Sequence, residues 1–124
     1  MLGKTVLGIS AVVLIAYGLA CLFSPALPAG YAGLEMTNAD AYAEIGAMYG
    51  GLQTGFGLFC LLAAMKAEYT RAGLVLLVLC IGLLAISRLF FTLTTTGPIG
   101  VYTWGAMTYE FTTAALAALA LRKA

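Results

Sequence analysis

Long apolar stretches alternate with short polar or Gly/Pro-containing connections along the whole chain. Residues 5–23 carry no charge, 41–65 are interrupted only by Glu44, 72–93 only by Arg88, and 99–121 only by Glu110. A membrane-crossing helix needs roughly 20 mostly apolar residues. Each stretch meets that length, so the pattern predicts four transmembrane helices in one domain over 1–124. The expected fold class is an all-α integral membrane protein, a four-transmembrane-helix bundle.

The connections carry their own signals. Ser24-Pro25 and Pro28 stop the first helix, because proline cannot continue an interior turn. Thr37 followed by Asp40 reads as a variant capping box opening the second helix. Residues 66–71 read as a tight polar connection. Gly97-Pro98 closes the third helix and opens the fourth, with Pro98 in its first turn. The longest connection, 24–40, is expected along the membrane surface with Tyr31 near the headgroups. Lys4 and the apolar run after it permit a signal peptide. Gly18-Leu19-Ala20-Cys21 is a poor lipoprotein cleavage site, and the first stretch is expected to be a retained helix.

Composition agrees with lipid as the solvent. Hydrophobic residues make up 63% of the 124 and charged ones 9%. A soluble domain this small leaves too much of its chain exposed to hide that apolar surface. The net charge of +1 and the absence of a basic stripe give no reason to expect a nucleic-acid partner. Lys4, Lys66, Arg71, Arg122 and Lys123 flank the stretches. Four alternating spans place all five on one side, and the loops 24–40 and 94–98 hold no Lys or Arg. The positive-inside rule makes the charged side cytoplasmic. The expected location is the bacterial inner membrane, with both termini in the cytoplasm.

Candidate chemistry is sparse. The chain has no histidine, which removes the usual haem and catalytic zinc ligands and the commonest general base. Cys21, Cys60 and Cys80 stand in separate apolar stretches without a C-x-x-C pair, and read as small packing residues. No cofactor is expected. Gly50-Gly51 sits mid-span with no basic residue after it, unlike a phosphate loop. Trp104 reads as an interface anchor, and Thr94-Thr95-Thr96 as a solvated helix end. No internal repeat supports an inverted-repeat transporter.

That leaves Glu44, Arg88 and Glu110 inside the spans. At about 1.5 Å per residue, Glu44 lies roughly 5 Å, Arg88 roughly 8 Å and Glu110 roughly 17 Å from the outer boundary. Isolated charges at such depths cost about 2.5–3.5 kcal/mol on insertion scales. Arg88 is therefore expected within reach of Glu44, Glu110 or both. If it prefers Glu44, the deeper Glu110 is the carboxylate expected to be protonated. Tyr49 and Gln53 add a hydroxyl and an amide on a neighbouring face. Ala47, Gly51 and Gly55 follow Glu44 at helical spacing and are expected to let another helix approach closely. The cluster reads equally as a buried ion network that fixes helix contacts and as a polar pocket for a small molecule or lipid headgroup.

Glu44-Ile45-Gly46-Ala47-Met48-Tyr49-Gly50-Gly51-Leu52-Gln53 resembles the E-I-R-A-x-Y-G-G-L-Q signature of a family of small bacterial four-helix membrane proteins. That family is known only as a domain of unknown function, with distant likeness to the DoxX/DoxD-like group. Ser87-Arg88-Leu89, Gly97-Pro98 and Glu110 resemble the same pattern, and the likeness runs over nearly the whole chain. It implies fold and topology but no reaction. One departure matters: Gly46 stands where the family usually has arginine, which leaves Arg88 to balance both glutamates alone or one carboxylate to be protonated.

Three functions fit these readings. The first is a non-enzymatic accessory or binding component, partnered by the bilayer and by a larger membrane complex or copies of itself. The second is a proton-coupled small transporter acting as a dimer through Glu44 and Glu110. The third is a quinone- or lipid-binding subunit of a membrane oxidoreductase. The first is favoured, because no nucleophile with a base and no soluble domain is present.

Overall fold

The computed structural model describes residues 1–123, which are helical apart from short connections and contain no strand. Five helices succeed one another: α1 (Leu2–Phe23), α2 (Ala26–Tyr31), α3 (Ala39–Met65), α4 (Ala67–Thr94) and α5 (Val101–Lys123). Of these, α1, α3 and α4 are long and apolar enough to cross a membrane. The four-span expectation is thus met by three helices. α5, with 23 residues, is long enough but is diluted by Thr103, Thr108, Glu110, Thr112 and Thr113.

Local chemistry sets the boundaries, and several differ from the sequence expectation. After α1 the chain turns at Pro25 into the six-residue α2. Gly33, at φ 77°, closes α2 in a left-handed conformation that glycine alone adopts without penalty. Its N–H donates to the Gly30 carbonyl at 3.1 Å, and the Leu34 N–H donates to the Ala29 carbonyl at 2.8 Å. Together these bonds form a Schellman closure.

Asn38, rather than Thr37, caps α3. Its backbone is extended and its Oδ1 accepts from the Ala41 N–H at 2.9 Å. Asp40 falls in the first turn, where its charge suits the helix dipole. An asparagine side chain satisfies the same orphan N–H groups as threonine, so the cap moves one residue along.

The expected connection over 66–71 shrinks to one residue. Lys66 alone leaves helical geometry, at φ −119° and ψ 117°, and α4 resumes at Ala67. The Thr70 hydroxyl ties the break by donating to the Ala63 carbonyl at 2.7 Å. At the far end, Thr95 turns extended and Gly97 takes φ 107°. Pro98 therefore lies ahead of α5, outside its first turn.

Two helices contain wider turns with i→i+5 bonding, over Gly46–Leu52 in α3 and Leu77–Ile81 in α4. Such π turns are uncommon and recur near functional positions. The first contains Gly46, Gly50 and Gly51, whose missing side chains ease the distortion.

By packing, the chain divides into two units, Met1–Leu7 with the chain from Ala63 onward, and Gly8–Leu62. In the first, α5 packs along α4, over a core that includes Leu7, Leu74, Leu77, Ala85 and Ala117. Gly73 makes this close: a Cβ there would meet Ala63 Cβ at 2.5 Å and Leu7 Cδ2 at 2.9 Å. In the second unit, α1 and α3 meet backbone to backbone. A Cβ on Gly57 would lie 2.6 Å from Ile15 Cγ1, and one on Gly50 2.9 Å from Leu22 Cγ.

Much apolar surface stays outside. Only 39%, 17% and 22% of the most apolar stretch of α1, α3 and α4 is buried. Val12, Leu58, Leu83, Ile86 and Phe90 are among the exposed side chains. At roughly 25 cal/mol per Å², water would be a poor solvent for such a surface.

Candidate functional site

The most constrained polar feature joins α4 to α5. Arg88 projects from the second half of α4, beyond the π turn, and Glu110 from the middle of α5. Arg88 Nε donates to Glu110 Oε1 at 2.9 Å, and Nη2 donates to Oε2 at 2.9 Å. Both carboxylate oxygens are thus held by one guanidinium in the two-pronged geometry that arginine favours. The Glu110 side chain is 5% exposed and that of Arg88 26%. The carboxylate is therefore shielded, while part of the guanidinium edge reaches the surface of its unit. Met107, Thr113 and Ala117 are buried along the same helix, so Glu110 belongs to α5's packed face.

The remaining candidates lie on α3, in the other unit. Glu44 is exposed, in the last turn before the π segment; Tyr49 is exposed and Gln53 partly buried. Ala47, Gly51 and Gly55 are also exposed. A Cβ on Gly55 would touch nothing within 4 Å, and one on Gly51 only the helix's own Gly46 carbonyl oxygen, at 4.0 Å. Within this chain the close approach runs instead through Gly50, Thr54 and Gly57. Glu44, Ala47, Gly51 and Gly55 are all exposed, so the expected stripe faces away from the rest of its unit, and the small residues that meet α1 lie on another face of α3.

Thr54 is the residue that sequence reasoning missed. Its backbone abuts Gly18: a Cβ on Gly18 would lie 2.8 Å from Thr54 N and 3.0 Å from its Cα. Its hydroxyl oxygen is buried with no hydrogen-bond partner among the described residues. The available signal was Gly18 facing a second small-residue helix, which is how membrane helices come close.

Among the described residues no group of three or more His, Cys, Asp or Glu side chains is placed to hold a metal ion. Cys21 and Cys60 are buried free thiols, and Cys80 is partly buried.

Fold and site together define a small all-helical protein with three helices apolar enough to cross a membrane and a shielded arginine–glutamate pair joining its last two helices. The chain belongs to the family described as Domain of unknown function (DUF4345), which matches it over residues 2–121. No curated protein and no solved structure matches the chain.

Proposed function

We propose that this chain is a four-span protein of the bacterial inner membrane, with both termini cytoplasmic, that serves as a non-enzymatic accessory or binding component. α5 is the fourth span, its one buried acid matched by Arg88. The five cations Lys4, Lys66, Arg71, Arg122 and Lys123 then share the cytoplasmic side.

The observation that carries this reading is the engagement of Glu110. A carrier that exchanges protons needs a carboxylate that gains and loses its partner during the cycle. Glu110 is 5% exposed with both oxygens held by Arg88, an arrangement suited to fixing one helix against another. The accessory role draws support from α3. Its apolar stretch is only 17% buried and it turns Ala47, Gly51 and Gly55 outward, a surface that admits a neighbouring membrane helix.

Reconstitution into liposomes with an imposed proton gradient tests this against the transporter reading. Wild type and Glu110→Gln should leak protons no faster than empty liposomes. A flux present in wild type and lost in Glu110→Gln would replace the accessory reading with proton-coupled transport.

A further inference from the structure

We propose that the end of the first unit where α1 begins, α4 begins and α5 finishes is a binding surface for the headgroup of an anionic phospholipid. This rests on the membrane-spanning reading, and it concerns a surface separate from the Arg88–Glu110 pair.

The three helix ends converge through Gly3. A Cβ there would lie 3.1 Å from Leu74 Cδ1, and 3.8 Å from both Thr70 Cγ2 and Ala120 Cβ. Gly3 therefore sits between α4 and α5, and every cation of the chain except Arg88 lies within a few residues of that junction. Lys4 comes directly after Gly3, Lys66 and Arg71 flank the start of α4, and Arg122 and Lys123 end α5. All five are exposed. Glu68 is the single acid among them.

α1 and α4 begin at this end while α5 finishes there, so their helix dipoles oppose one another and the positive field comes from the side chains. Tyr69 and Met65 are exposed beside the cations. They give the surface an amphipathic ring and an apolar side chain at the depth where headgroup meets acyl chain. The segment 8–62 contains Glu35, Asp40 and Glu44 and no Lys or Arg. The excess positive charge is thus concentrated in one place, and clustered Lys and Arg beside membrane helices are what anionic headgroups recognise. Long cationic stems lie along apolar surface while their heads reach phosphate.

Thermal unfolding of the purified full chain in a neutral detergent, with either phosphatidylglycerol or phosphatidylcholine added, tests the proposal. Phosphatidylglycerol should raise Tm, and phosphatidylcholine should not. Lys4→Gln/Arg71→Gln/Arg122→Gln should weaken the phosphatidylglycerol response on the order of 100-fold in lipid concentration, taking the contribution of each cation near a charged surface as equal. Its Tm in phosphatidylcholine should match wild type. If the triple variant is poorly folded, Arg71→Gln and Arg122→Gln alone should each shift the response part of the way. Equal responses to the two lipids, or an undiminished response in the variants, would overturn the proposal. So would an equal rise with inorganic phosphate alone, which would point to a free anion. Carbonate extraction of membranes separates the two claims. A chain released by carbonate fails the spanning reading, whereas one retained but blind to phosphatidylglycerol fails only the lipid site.

Discussion

Arg88 grips Glu110 with Nε and Nη2, each 2.9 Å from a different carboxylate oxygen, and so joins two helices through residues 22 apart in the chain. The pair should behave as a unit. Removing one partner of a buried ion pair strands the other charge and costs about 3–5 kcal/mol, whereas replacing both is often close to neutral. Arg88 is 26% exposed, which favours the lower end of that range. Arg88→Met should therefore destabilise the protein by roughly 3 kcal/mol, and Arg88→Met/Glu110→Gln should recover most of the loss. Unfolding in mixed micelles measures both. A double variant no better than the single one would mean that the pair does not act as a unit.

The two faces of α3 predict opposite glycine phenotypes. Gly57→Ala must displace Ile15, whose Cγ1 and N lie 2.6 and 2.8 Å from the new Cβ. Overpacking of this kind costs about 1–3 kcal/mol. Gly55→Ala meets nothing and should be neutral or stabilise by up to about 1 kcal/mol, because alanine loses less conformational freedom in a helix. Matched Tm measurements decide the matter. Equal destabilisation would mean that Gly55 is packed.

Thr54 offers a gain. Its buried hydroxyl has no partner among the described residues, and such an orphan costs about 1–3 kcal/mol. Thr54→Val keeps the shape and removes the hydroxyl, so Tm should rise. A fall in Tm would show that the hydroxyl is engaged in the membrane, by water or a bound molecule.

Much of the fold was legible because apolar length and proline are blunt signals. Ser24-Pro25 ends α1, and the apolar runs mark the long helices. Arg88 could be assigned a glutamate partner from sequence because it is the sole cation inside any apolar stretch, but the choice between Glu44 and Glu110 stayed open there. Finer features were hidden for physical reasons. Thr37 and Asn38 both make good caps, and only the backbone decides between them. A single extended residue, Lys66, suffices to break the helix, so a polar run of six overstated the connection. Gly50 and Gly51, like Gly55 and Gly57, are small residues on different faces of α3. Composition does not choose between them, and the wide turns over Gly46–Leu52 leave no periodic trace. Glu44 matched a motif and a depth, yet it is exposed on α3.

The most direct test of the four-span arrangement is cysteine labelling in intact cells, in a background with Cys21, Cys60 and Cys80 replaced. Asn38→Cys and Thr96→Cys should react with a membrane-impermeant thiol reagent. Lys66→Cys and Lys123→Cys should react only after permeabilisation. That pattern requires α5 to cross as the fourth span and places both ends of the chain in the cytoplasm. Labelling of Lys123→Cys in intact cells alongside Thr96→Cys would contradict it, leaving three spans with α5 on the outer surface.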